Sequence, residues 1–181
     1  MDQTDLQALQ AMVEELGFDN NGVFSADRLV ARPEVRDMCA ADKCQSYNAS
    51  WSCPPACGGI EEFQELYSRY TRGIIFQTII QMEDSFDYES VMEGSARHKQ
   101  RFHALADKVA EQGLDVALLG AGACNLCASC SYPDAPCRQP QRMSPSMEAT
   151  GLLVNEVCEA AGIPYNYGPA TLAYSSCALL R

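Results

Sequence analysis

Eight of the ten cysteines in this chain fall in two short stretches, and no other feature constrains the molecule as strongly. The later stretch reads Cys124-Asn-Leu-Cys127-Ala-Ser-Cys130, then Ser-Tyr-Pro-Asp-Ala-Pro and Cys137. In a C-x2-C-x2-C turn, each two-residue gap lets successive thiolates point at different irons of a cubane, while backbone N–H groups in the turn face the bridging sulfides. The gap before Cys137, stiffened by Pro133 and Pro136, brings the chain back to a fourth iron. Two-cluster bacterial ferredoxins use a three-residue last gap, and their fourth cysteine serves the other cluster. The six-residue gap here therefore leaves open which cluster Cys137 serves. Zinc is the competing metal, but its sites pair two knuckles more often than they use a triple turn. Cys124-x2-Cys127 alone would fit a thioredoxin-like pair, which the additional Cys130 and Cys137 disfavour.

The earlier stretch is Cys39-x4-Cys44-x8-Cys53-Pro-Pro-Ala-Cys57. Four cysteines in a polar loop point to a second metal site, either a second [4Fe-4S] cluster or a zinc staple. Pro54-Pro55 removes two amide donors and stiffens the chain beside Cys53, and Tyr47 and Trp51 can shield a cluster from water. Cys57 is the weakest ligand candidate of the eight, because the prolines restrict its return toward Cys53. The metal-ligand set expected from sequence is thus Cys39, Cys44, Cys53, Cys57, Cys124, Cys127, Cys130 and Cys137. Cys158 and Cys177 have no neighbouring thiols and read as small buried hydrophobes.

The rest of the chain has the composition of a globular protein, 47% hydrophobic and 20% charged over 181 residues. That length suits one domain, 1–181, with its own core. A disulfide framework is disfavoured, because such frameworks belong mainly to small secreted domains and the N-terminus lacks a signal-peptide pattern. The expectation is a cytoplasmic protein without a membrane span. A net charge of −11 argues against nucleic acid and anionic membranes, and leaves room for a basic partner.

The pattern along the chain predicts an α/β fold: a small mixed sheet with a βαβ unit, flanking helices and two cluster loops at about 36–59 and 120–143. Thr4-Asp5-Leu6-Gln7 reads as a capping box for a helix carrying Leu6, Leu9, Val13 and Leu16, stopped at Gly17. A strand is expected near Val23–Val30, a loop over 39–59, and a helix with Ile60, Phe63, Leu66, Tyr67 and Tyr70 on one stripe, with Arg69 and Arg72 in its last turn. Ile74–Met82 reads as a central buried strand and 88–112 as a long helix with Val91, Met92, Phe102, Leu105, Ala106 and Val109 inward. Leu114–Leu119 is the next strand, and together these make the βαβ unit, with the second cysteine loop at its carboxyl end. Ser144-Pro145 opens a helix through Met147, Gly151, Val154, Cys158 and Ala161, and Thr171–Leu180 is the last strand. His98 and His103 read as structural. Arg36, Arg138 and Arg142, beside the loops, fit ordinary ion pairs or tuning of an anionic cluster. Asp87 and Glu148 read as capping or surface carboxylates.

The run Arg36–Gly58, RDMCAADKCQSYNASWSCPPACG, and the run Leu119–Gly151, LGAGACNLCASCSYPDAPCRQPQRMSPSMEATG, resemble the two hallmarks of a prokaryotic family labelled as predicted metal-binding proteins. The intervening FQTIIQMEDSFDYE also fits. The resemblance implies a cysteine-bound metal, presumed iron–sulfur, in mostly anaerobic prokaryotes. The function expected from the chemistry is electron transfer through two [4Fe-4S] clusters, with a redox protein as partner. Two alternatives stand beside it. If one set supplies only three thiolates, an open iron can act as a Lewis acid in an enzyme. The third reading is a zinc-stapled or cluster-based regulatory module.

Overall fold

The computed structural model describes residues 3–84 and 86–181. Its elements are α1 (Gln3–Glu15), β1 (Asn20–Ser25), α2 (Pro33–Ala40), α3 (Ile60–Ser68), β2 (Arg72–Gln81), α4 (Tyr88–Glu111), β3 (Val116–Leu119), α5 (Val154–Ala160) and β4 (Thr171–Leu180). The sheet order is β1-β2-β4-β3, and every pairing is antiparallel.

Alternation along the two central strands builds two cores. Ile74 and Phe76 of β2, with Ala178 and Leu180 of β4, face Leu9, Met12 and Val13 of α1 and Phe102, Leu105 and Val109 of α4. Ile75, Cys177 and Leu179 face the other way, onto Phe63 and Tyr67 of α3, Val157 and Cys158 of α5, and Met147 and Leu152. Helices therefore cover both faces. At about 25 cal/mol per Å² of buried apolar surface, these two clusters supply most of the drive to fold. The helix α4 can lie close on β2 because Gly94 has no side chain; a Cβ there would collide with Ile80.

The α/β class and the flanking helices agree with the sequence reading, and Thr171–Leu180 is a strand as expected. The strands β2 and β3 do run in the same direction and are joined by α4, since both pair antiparallel with β4. They are not neighbours, however: β4 lies between them, so the expected βαβ unit is split, and the sheet expected to be mixed has only antiparallel strand pairs among the described residues. The strand β3 is an edge of the sheet.

Local departures have local causes. Thr4 lies inside α1, not at its cap. The strand β1 ends at Ser25 and gives way to a 3-10 turn at Ala26–Arg28, so Val30 lies outside it. Pro33 opens α2, which carries the start of the supposed loop, including Cys39, in helical form. The helix α3 stops at Ser68, and Arg72 already belongs to β2. Met92 is half exposed on α4, whose inward stripe instead includes Gly94 and His98. The helix expected from Ser144 is broken. Glu148–Thr150 forms a 3-10 turn, with Ala149 N–H held by the Ser146 hydroxyl at 3.1 Å, and Gly151 then turns left-handed at φ 88°. Only glycine adopts that conformation without cost. A side chain at Gly151 would also meet Arg32 N at 3.0 Å, where the Arg32 amide donates to the Gly151 carbonyl.

Candidate metal centre

The two cysteine stretches fold against each other as one interlocked unit. Trp51 donates its indole N–H to Ala135 O at 3.1 Å, and Tyr132 donates its hydroxyl to Asn48 Oδ1 at 2.6 Å. The Trp51 and Tyr132 rings meet edge to face with centroids 4.9 Å apart. Beneath them, the Cys124 amide donates to the Ser52 hydroxyl at 3.0 Å.

Cys124, Cys127, Cys130 and Cys137 line a single depression, walled by Ser50–Ser52 and Met143. The loop that carries them is fixed by side chains aimed at its carbonyls. Lys99 of α4 donates to Ala123 O at 2.9 Å, Gln139 to Leu126 O at 3.0 Å, and Arg138 to Ser129 O at 2.8 Å. Gln139 Nε2 also lies 3.6 Å from Cys127 Sγ. Burial raises the Cys124 thiol, and its neighbours Cys137, Cys127 and Cys130 add to the effect. Cys130 goes the other way. Burial opposes its ionisation, yet the Trp51 and Tyr132 amides, the Ser50 hydroxyl and the Ser131 amide together hold it below the ordinary thiol range. Cys130 is exposed, and a thiol held below its ordinary range is readily available as a thiolate ligand.

The earlier cysteines spread over a different region. Cys39 sits in the last turn of α2, Cys44 on an exposed turn, and Cys53 is buried; all three line a cleft of about 510 Å³. Burial, with Glu148 and Cys44 nearby, pushes the Cys39 thiol up to about 11. Asp42, Gln45 and Asn48 adopt positive φ in the turn around Cys44, a conformation non-glycine residues enter at a cost. Cys57 does not line that cleft. Its thiol donates to Ala149 O at 3.6 Å, it packs against the core, and it lies near enough to Cys53 for charge on one to raise the other. Cys53 in turn is raised chiefly by burial and also by Cys44, Cys124 and Cys130, so it stands between the two sets. Among the described residues, no three His, Cys, Asp or Glu side chains are placed to hold one metal ion.

The arginines act as staples. Arg36 donates to both Ala149 O and Gly58 O at 2.9 Å, tying the end of the first loop to the 3-10 turn, and Arg142 pairs with Asp107 at 2.8 Å. Cys158 and Cys177 are fully buried in the core under α3 and α5, where burial raises both thiols. His98 is buried between Thr78 Oγ1 (3.0 Å) and Ser176 Oγ (2.8 Å), and His103 meets Asn125 Oδ1 at 2.7 Å. Asp87 caps α4 by accepting Ser90 N–H at 3.0 Å. Sequence reasoning missed Ser50, Ser52, Lys99 and Gln139; only the S-x-S spacing ahead of Cys53 hinted at the first two.

A family model, Predicted metal-binding protein (DUF2284), matches residues 22–180 and so takes in all eight clustered cysteines. The chain belongs to this family. No curated protein matches it. Among solved structures, it is similar to epoxyqueuosine reductase from Bacillus subtilis, at 12% identity and a TM-score of 0.45. A selenomethionine-labelled epoxyqueuosine reductase gives 11% and 0.45, and an epoxyqueuosine reductase with a tRNA-Tyr stem loop gives 12% and 0.42. Each alignment covers 97% of this chain and 45% of the other, so the chain spans about half the length of those proteins. Among the described residues, no helix is long and apolar enough to cross a membrane.

Proposed function

We propose that this metal-binding protein holds two [4Fe-4S] clusters and transfers electrons, with a redox protein as its partner. The observation that carries this reading is the common depression lined by Cys124, Cys127, Cys130 and Cys137, with Gln139 Nε2 donating to Cys127 Sγ at 3.6 Å. Donor type and second-sphere hydrogen bonding both fit a cluster of soft, anionic character. The second cluster would take Cys39, Cys44 and Cys53, with Cys57 as the fourth thiolate; its proximity to Cys53 supports that assignment. Clusters held by four thiolates each supply one-electron chemistry. Trp51 lines the depression of the later set with the Tyr132 ring against it, and Cys53 is buried between the two stretches, while Cys130 stays exposed.

A second reading is favoured by one specific observation, that Cys57 lies off the cleft shared by Cys39, Cys44 and Cys53. A site with three thiolates and a cleft of about 510 Å³ beside it has room for a small substrate, flanked by Lys43, Glu148 and Tyr165. Such a site would belong to an enzyme.

The deciding experiment is iron and sulfide quantification after anaerobic purification, with EPR of the reduced protein. About eight irons and eight sulfides per chain are expected, as two cubanes require. Stoichiometric zinc without visible absorbance would remove both readings and favour a zinc-stapled module.

A further inference from the structure

Phe86 and Tyr88 are the two most exposed large apolar side chains among the described residues, at 89% and 71%, and Met92 is 51% exposed. Apolar residues scattered singly on a surface are ordinary, but this group sits together at the start of α4. The turn that presents them is held in shape. Asp84 accepts the Phe86 N–H at 2.7 Å, and Asp87 accepts the Glu83 N–H at 2.9 Å and the Ser90 N–H at 3.0 Å. Tyr88 and Met92 lie one turn apart on α4, whose buried side carries Gly94, His98 and Phe102 instead.

Carboxylates surround this apolar centre. Glu83, Asp84, Asp87, Glu89 and Glu93 all fall between Met82 and Ala96, a stretch without lysine or arginine. The helix dipole accounts for Asp87 and Glu89 at the start of α4. It does not account for Glu83, Asp84 and Glu93, which lie outside the first turn. The next basic side chain, Arg97, is directed to Ile79 O at 3.4 Å.

The same flank of α4 leads to the later cysteine stretch. Tyr88, Met92, Lys99 and His103 are spaced to fall on one side of a helix. Lys99 donates to Ala123 O at 2.9 Å and His103 meets Asn125 Oδ1 at 2.7 Å, so this side supports the loop of Cys124 and Cys127. At the helical rise, Met92 stands about 10 Å along the axis from Lys99. A protein seated on Tyr88 and Met92 therefore lies beside the later cysteine loop.

We propose that Phe86, Tyr88 and Met92, with the carboxylates around them, form the docking face for a one-electron redox protein whose own face carries lysine or arginine around an apolar centre. The proposal rests on the electron-transfer reading above and specifies its partner. Basic side chains would pair with the carboxylates and lie over the Phe86 and Tyr88 rings. Aromatic and methionine side chains supply the central anchor of such a contact. A face of this size suits electron-transfer encounters, which bury little area. In the encounter one electron passes from the reduced later site to the oxidised centre of the partner, with no bond made and no proton moved.

The test uses the full chain, purified anaerobically and reduced, then mixed rapidly with oxidised cytochrome c as the basic one-electron probe. A parallel run uses the small acceptor dichlorophenolindophenol. Wild type is compared with Tyr88→Ala/Met92→Ala, with Glu89→Gln/Glu93→Gln, and with Glu14→Gln/Glu111→Gln, an equal charge change at exposed positions away from the patch. The wild-type rate constant with cytochrome c should fall as salt is raised. Both patch variants should lose about fivefold or more at low salt, while the Glu14/Glu111 variant stays within about twofold of wild type. All should reduce the small acceptor equally, which shows intact folding and metal content.

Patch variants that match wild type with cytochrome c overturn the proposal, as does a Glu14/Glu111 variant that loses as much as they do. A wild type that reduces only the small acceptor overturns it too. If Tyr88→Ala/Met92→Ala fails to fold, Glu89→Gln/Glu93→Gln decides by the same criterion. A wild-type dimer that dissociates in Tyr88→Ala/Met92→Ala, read by sedimentation, would assign the patch to a second copy of this chain and overturn the redox partner. Wild-type protein without iron sinks the electron-transfer reading and this proposal together. A wild type that reduces both acceptors, with patch variants unchanged, sinks this proposal alone.

Discussion

The indole of Trp51 stands edge to face on the ring of Tyr132, so an aromatic pair formed by one residue from each cysteine stretch roofs the junction between them. Aromatic pairs of this geometry contribute roughly 0.5–1.5 kcal/mol beyond their buried area. The indole N–H bond to Ala135 adds a tether of about 1 kcal/mol.

Trp51→Ala should therefore leave the fold intact, because both cores lie elsewhere, but open the roof. The expected outcome is faster bleaching of visible absorbance in air than in the wild type. Equal bleaching rates would show that Trp51 does not shield the site.

Cysteine substitutions should separate by location. Cys130→Ala is expected to halve the iron content, since its sulfur lies in the depression of the later set. Cys158→Ala and Cys177→Ala should keep all the iron while lowering stability by roughly 1–2 kcal/mol, the scale of a small core cavity. Iron analysis and thermal melts on the same samples check both halves. Iron loss in Cys177→Ala would place the site wrongly.

Cys57 distinguishes carrier from enzyme. In the carrier, Cys57→Ser lowers occupancy of the earlier set and perturbs its EPR signal, because an alcohol oxygen is a poorer ligand than thiolate for a soft centre. Reaching that role requires the thiol to leave Ala149 O. An unchanged signal, together with a wild-type spectrum that responds to added cyanide, would instead establish the three-thiolate site.

His98 gives the fold a pH dependence. Burial, with Arg101 and Lys99 nearby, depresses its pKa from 6.5 to about 3. The unfolded chain thus binds a proton that the folded chain refuses between those values, and stability rises with pH across that window. The contribution is complete above about 6.5 and is lost progressively as pH falls toward 3. Melting temperature should fall from pH 7 to pH 5 in the wild type, and less steeply in His98→Gln. Parallel slopes would assign the acid sensitivity to other groups.

Local sequence was enough wherever a signal was confined to neighbours along the chain. The stripe of α1 and most of α4 follow from periodicity, because burial of one face dictates it residue by residue, while Thr171–Leu180, buried on both faces in its second half, reads as a run of strand length. The eight clustered cysteines likewise announced metal chemistry by type and spacing alone, and the family match bears out the metal-binding expectation. What lay beyond the sequence was every relationship set by non-local packing. The insertion of β4 between β2 and β3 depends on Thr171–Leu180 finding the centre of the sheet, and no pattern within β2-α4-β3 encodes it. Gly151 looked like a helix residue until the approach of the Arg32 backbone made a left-handed turn the better partner. Cys57, although near Cys53, stands off the cleft that Cys39, Cys44 and Cys53 share, its thiol turned to the Ala149 carbonyl of the 3-10 turn at Glu148–Thr150. Ser52 gained its place only when the two loops closed on each other, since its hydroxyl accepts the Cys124 amide from more than seventy residues away. Spacing fixes which ligands are close along the chain; tertiary packing fixes which donors surround them.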